Sequence, residues 1–149
     1  MLPAVTASSY SRTFQSPPDS FDMVHEMLGA FWSGHPVSEG DRMVFETALI
    51  EVAGNIFEHA QGSGAITWVC TLTLDGDRLS AELQDDGAPA QVCLARRPMP
   101  DDLAESGRGL PLVHALTSEF AYRRDDGRNI WTIALLLGAP PDSGWTPNK

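Results

Sequence analysis

Apolar residues recur at helical spacing between Asp19 and Ser33, where Phe21, Val24, Met27, Leu28, Phe31 and Trp32 share one side of a 3.6-residue turn. Gly34, His35 and Pro36 end the run. A second, longer helix is predicted from Ser38 or Asp41 to Ala60, stopped by Gly62 and Gly64. Ahead of both, Tyr10–Gln15 reads as a short strand. Ala65–Leu74 and Arg78–Gln84 are β-rich segments around Asp75-Gly76-Asp77, the strongest hairpin signal in the chain. Ser118–Arg124 and Asn129–Leu137 form a second such pair around Asp125-Asp126-Gly127. Between the pairs, Leu110–Leu116 reads as a short helix with Pro111 in its first turn, where a missing N–H costs nothing. Asp85 to Ser106 has no clear period, a loop longer than compact domains keep without a use.

The predicted order is strand, two helices, two strands, loop, helix, two strands, with no internal repeat. It fits an α+β fold, a two-layer sandwich with helices on one face of a mixed, mostly antiparallel sheet. Residues 10–137 form the single domain, and 1–9 and 138–149, the latter with Pro140, Pro141 and Pro147, are terminal extensions.

Composition narrows the function. A chain of 149 residues that is 42% hydrophobic builds a core without a disulfide or metal staple. Ten Lys and Arg against 20 Asp and Glu give a net charge of -10, which repels phosphate backbones and anionic lipid, so neither nucleic acid nor a membrane is the expected partner. No apolar run nears the roughly 20 residues of a membrane span. Met1–Tyr10 lacks the basic start and apolar stretch of a secretory signal, and the cytosol is the expected location. Cys70 and Cys93 form no C-x-x-C pair and read as ordinary reduced thiols. His25, His35, His59 and His114 show no metal-ligand spacing, and no G-x-S-x-G nucleophile motif is present.

Three segments carry candidate chemistry. In E-V-A-G-N-I-F-E-H-A, Glu51, Asn55, Glu58 and His59 fall in one stripe of the long helix. Phe45, Leu49, Val52, Ala53, Ile56 and Ala60 lie opposite, and Ile50 and Phe57 add a third, apolar flank, so the polar stripe points to a cleft. In L-Q-D-D-G-A-P-A a strand delivers Asp85, whose carboxylate can accept from the exocyclic amine of a purine, and Gly87 lets backbone approach a flat ring. In E-S-G-R-G-L-P-L-V, glycines precede a helix whose free N–H groups favour a phosphate, with Arg108 as a positive contact. That sequence is neither G-x-G-x-x-G nor a Walker loop. Each segment alone is also what a solvated helix face, an Asp-Gly turn or a loop before a helix would show.

In this order the three resemble the N, G1 and G2 boxes of the GHKL superfamily of ATP-binding proteins, with Asn129–Leu137 as the closing strand. The single-domain chain, the E-H-A continuation, the D-x-G-x-P form of Asp85-Asp86-Gly87-Ala88-Pro89 and the run G-R-G-L-P-L-V are similar to bacterial anti-sigma-factor serine kinases. The resemblance covers about Phe14 to Leu137.

The resemblance implies ATP and Mg²⁺ as cofactors, with Asn55 holding the metal against the phosphates and Glu51 acting as the base toward a serine hydroxyl. It implies that Asp85 reads adenine beside Gly87, and that Gly107, Arg108, Gly109 and Leu110 cradle phosphates. Thr132 would reach the adenine side. The loop would close as a lid, in which Arg96 and Arg97 touch the γ-phosphate, touch an acidic partner or are solvated, and His59 would be structural. The implied partners are a sigma factor, a STAS-type anti-anti-sigma protein that is phosphorylated, and a second copy in a homodimer. The alternative on this fold is a non-catalytic module that binds nucleotide, or nothing, and sets the shape of a partner surface. Two positions depart from the family: Ala90-Gln91-Val92 follows Pro89 where an aromatic, Asp and Pro are common, and Pro111 replaces a more usual apolar residue.

Overall fold

A computed structural model of the chain describes residues 8–16, 21–63, 65–90 and 109–138. The elements run β1 (Ser8–Ser16), α1 (Phe21–Gly34), α2 (Glu39–Ser63), β2 (Ile66–Asp75), β3 (Arg78–Asp85), α3 (Gly109–Leu116), β4 (Glu119–Asp125) and β5 (Arg128–Leu136). This is the order that periodicity and turn chemistry predict. Gly76, at φ 64, is the only positive-φ residue of the two-residue β2–β3 turn, the pattern of a type II′ turn. In the β4–β5 turn both Asp126 (φ 52) and Gly127 (φ 76) are positive, as type I′ requires.

The five strands are ordered β1-β2-β3-β5-β4, and all four pairings are antiparallel, so the fold is α+β as expected while the sheet is not mixed. The physical reason lies in the crossovers. Two helices between β1 and β2 return the chain to the end it left, which makes those strands antiparallel. One helix between β3 and β4 leaves them pointing the same way, but β5 inserts between them, and neither gains a parallel neighbour.

Strand alternation sends Trp68, Cys70 and Leu72 of β2 and Leu79, Ala81 and Leu83 of β3 to the helical side, where all are buried. Phe14 of β1, paired with Trp68, stacks on it with ring centroids 4.2 Å apart. Val24, Met27, Leu28 and Phe31 of α1, with Phe45, Leu49, Val52 and Ile56 of α2, close this core. The third flank of α2 is covered as well, since Phe57 meets the ring edges of Phe21 (4.7 Å) and Trp68 (5.7 Å). The other sheet face is polar over β1 and β2, with hydroxyl pairs Ser9–Thr73 and Ser11–Thr71, and carries Ile130 and Ala134 of β5.

Ser38 caps α2, its hydroxyl accepting from the Asp41 N–H at 3.2 Å. The helix runs on to Ser63, beyond the Ala60 end that its glycines suggest. A helical Gly costs about 1 kcal/mol relative to Ala, too little to break a helix anchored one turn earlier by Ile56 and Phe57. Burial pushes the Cys70 thiol above its ordinary range, so it stays protonated and unreactive at neutral pH. Cys93 lies outside the described residues. Among those residues no helix is long and apolar enough to cross a membrane.

Candidate functional site

Asp85 is the last residue of β3, and the alternation that buries Leu79, Ala81 and Leu83 also turns its carboxylate to the helical side, where it is 1% exposed. A charge in such a place must be hydrogen-bonded or it destabilises the fold by several kcal/mol. Its donors come from the next turn and the neighbouring strand. Oδ1 accepts from the Gly87 N–H at 2.9 Å and from Asn129 Nδ2 at 2.8 Å, and Oδ2 accepts from Trp131 Nε1 at 3.1 Å. Sheet register explains the convergence: Asn129 lies directly across from Asp85, and Trp131 is two positions on, on the same face.

A second ring of contacts fixes these donors. Asn129 is fully buried; its Nδ2 also donates to the Ala88 carbonyl at 2.8 Å, and its Oδ1 accepts from the Tyr122 hydroxyl at 2.5 Å and from Arg124 at 3.1 Å. Arg124 donates as well to the Gly87 carbonyl at 2.7 Å, and the Tyr122 hydroxyl accepts from the Ala90 N–H at 3.1 Å. Side chains of β4 and β5 thus grip the backbone from Gly87 to Ala90. Asp86 extends the β2–β3 pairing by one step, donating its N–H to the Thr67 carbonyl and accepting the Thr67 N–H.

Gly87 is required here by space. A Cβ on it would stand 2.8 Å from Ile66 Cδ1 and 3.1 Å from Asp85 Oδ1, and both neighbours are buried. Gly87→Ala is therefore expected to cost about 1–3 kcal/mol of overpacking and lower Tm by roughly 5 °C. A thermal melt unchanged from wild type would show that Ile66 yields freely.

On α2, Glu51 and Asn55 sit one turn apart and both are half-buried, whereas Glu58 further along the stripe is exposed. The His59 side chain lies outside the described residues. Asn55 donates from Nδ2 to the Glu51 carbonyl at 2.9 Å, and its Oδ1 has no hydrogen-bond partner among the described residues. A hard cation such as Mg²⁺ takes oxygen ligands and few of them from protein, so the residue fits that ion. α2 packs on β3 and β5, the strands that bear Asp85 and Asn129, and also on α3. No hydrogen bond joins Glu51 or Asn55 to Asp85 among the described residues. Gly109 opens α3 and Leu110 packs half-buried against the core, while Gly107, Arg108, Arg96 and Arg97 lie outside the described residues.

Thr132 is a correction. It pairs with Glu82, and because successive strand residues alternate, both project from the polar face, opposite to Asp85. The expectation that Thr132 reaches the adenine side follows its position in the last strand but not its parity. Asn129 is the β5 residue that lies across from Asp85 and bonds to it. Asn129, Trp131, Tyr122 and Arg124 were all missed by the sequence reading. The available signal was the period-2 spacing of Tyr122 with Arg124 and of Asn129 with Trp131 on either side of a two-residue turn, which places all four on one face.

The family model of the histidine kinase-like ATPase domain matches residues 14–135, from within β1 into β5. No curated protein matches the chain.

Proposed function

The chain belongs to the histidine kinase-like ATPase domain family, and from that premise we propose that it is an anti-sigma factor with protein serine kinase activity. It binds ATP with Mg²⁺ and phosphorylates a serine of a STAS-type anti-anti-sigma antagonist, so that sigma-factor sequestration is switched by partner exchange. The observation that carries the catalytic half is the pairing of Glu51 and Asn55, a carboxylate and an amide oxygen one turn apart and half-buried on α2, neither with a side-chain acceptor bond among the described residues.

Asp85 accepts an N–H from the adenine 6-amino group, and Gly87 keeps the approach to the base open. Gly107, Arg108, Gly109 and Leu110, at and before the N-terminus of α3, bind phosphate oxygens through backbone N–H groups and the guanidinium. Asn55 would hold Mg²⁺, which would supply the charge neutralisation on which phosphoryl transfer depends. Glu51 takes the proton of the serine hydroxyl as its oxygen bonds to the γ-phosphorus. The bond to the β–γ bridging oxygen breaks, and ADP leaves with that electron pair. Arg96 and Arg97 are assigned to the lid over the phosphates or to the acidic surface of a partner. The protein acts in the cytosol, as a homodimer, on protein partners and with no direct contact to nucleic acid or membrane.

The test is incubation with Mg-ATP and each STAS-domain protein of the same genome, read by mass spectrometry. Phosphoserine on one of them is the expected result. Nucleotide binding with every antagonist unmodified overturns the kinase half and leaves the non-catalytic module.

A further inference from the structure

A carboxylate offers about four acceptor sites, two on each oxygen. On Asp85 the chain itself fills three: the Gly87 N–H and Asn129 Nδ2 take both sites of Oδ1, and Trp131 Nε1 takes one of Oδ2. None of these donors is free to swing away. Asn129 is held from its other side by Tyr122 and Arg124. Trp131 is 0% exposed, with the Tyr122 ring 4.7 Å from its own. Counted over the described residues, the carboxylate therefore keeps one acceptor site, on one oxygen.

That count decides which base suits it. A carboxylate with both oxygens open takes two parallel N–H bonds, and guanine presents such a pair in its N1–H and 2-amino N–H. Adenine presents a 6-amino group, which one acceptor satisfies. Guanine at a single-acceptor carboxylate leaves its adjacent N–H buried without a partner, a penalty that rejects it. We propose that Trp131 is a specificity-determining residue of the base site, whose indole N–H occupies the second Asp85 oxygen and so restricts it to one donor, selecting adenine over guanine. This rests on the nucleotide reading of Asp85 given above and adds to it the residue that sets the base preference.

The experiment compares ADP, GDP and IDP by calorimetry on wild type and Trp131→Phe. GDP and IDP differ only in the 2-amino group, so their ratio of Kd values reports whether a second N–H finds an acceptor. Wild type is expected to bind ADP at least about tenfold tighter than GDP, and GDP no tighter than IDP. In Trp131→Phe the indole N–H is gone, and GDP is expected to gain about tenfold over IDP, the size of one hydrogen bond to a charged group. A merely structural role of the indole would move all three affinities together. An unchanged GDP-to-IDP ratio in a variant that still binds ADP overturns the proposal. Should the variant not fold, the wild-type ratio decides alone, and GDP bound tenfold tighter than IDP overturns it. A wild type that binds none of the three overturns the nucleotide reading itself, and the inference falls with it.

Discussion

Asp85→Asn is expected to lower Tm by about 10 °C and to weaken ADP binding at least about tenfold. The substitution keeps the shape of the side chain and replaces one oxygen with an NH₂ group. Whichever way the amide is turned, that group meets donors: Gly87 N–H and Asn129 Nδ2 on one side, or Trp131 Nε1 on the other. At least one buried N–H loses its acceptor and faces another donor, at about 1–3 kcal/mol for each group left unpaired. Asp85, Asn129 and Trp131 are each 1% exposed or less, so these groups rely on one another for their hydrogen bonds. Asp86→Asn is the control, since Asp86 is exposed and only its Oδ1 is engaged, by the Thr67 N–H. Wild-type Tm in Asp85→Asn would mean that the carboxylate does not organise this corner of the sheet. A fall in Tm with ADP affinity retained would assign Asp85 to structure alone.

The contrast between Asp85 and its partners shows what a linear reading can reach. Asp85 and Gly87 were legible because a strand ending in D-x-G is a local pattern, as were both hairpins, whose Asp-Gly turns act within two residues. Asn129 and Trp131 stand 44 and 46 positions away from the carboxylate they bind, and only the β3–β5 register brings them to it. That register depends on β5 inserting between β3 and β4, a choice made by packing and not by any one segment. The same non-local fact removes the parallel neighbours that a mixed sheet would have. Thr132 was misplaced for a simpler reason: a strand alternates, so naming the right strand without fixing its inward residues is right half the time. Gly62 was misread as a helix stop because local propensity is weaker than the packing of Ile56 and Phe57 just before it.

Glu51→Gln separates chemistry from structure, and its expected signature is a loss of phosphoryl transfer to the antagonist by about 10²–10⁴-fold with Tm and ADP affinity close to wild type. The change is nearly isosteric. The one side-chain hydrogen bond that reaches this residue among the described residues goes to its backbone carbonyl, which Gln retains for Asn55. The side-chain carboxylate has no partner among the described residues, so no fold contact is lost with its charge. What Gln cannot do is take a proton from an incoming hydroxyl. Transfer that survives the change places the base elsewhere, and equal loss of transfer and nucleotide binding counts against a base role. Asn55→Ala completes the pair, because it removes Oδ1 and should weaken ADP binding in the presence of Mg²⁺ while leaving binding without Mg²⁺ near wild type. The two variants, four residues apart on α2, would then fail in different ways: one binds and does not transfer, and the other loses the metal-dependent part of binding. A solvated, functionless stripe predicts that neither fails at all.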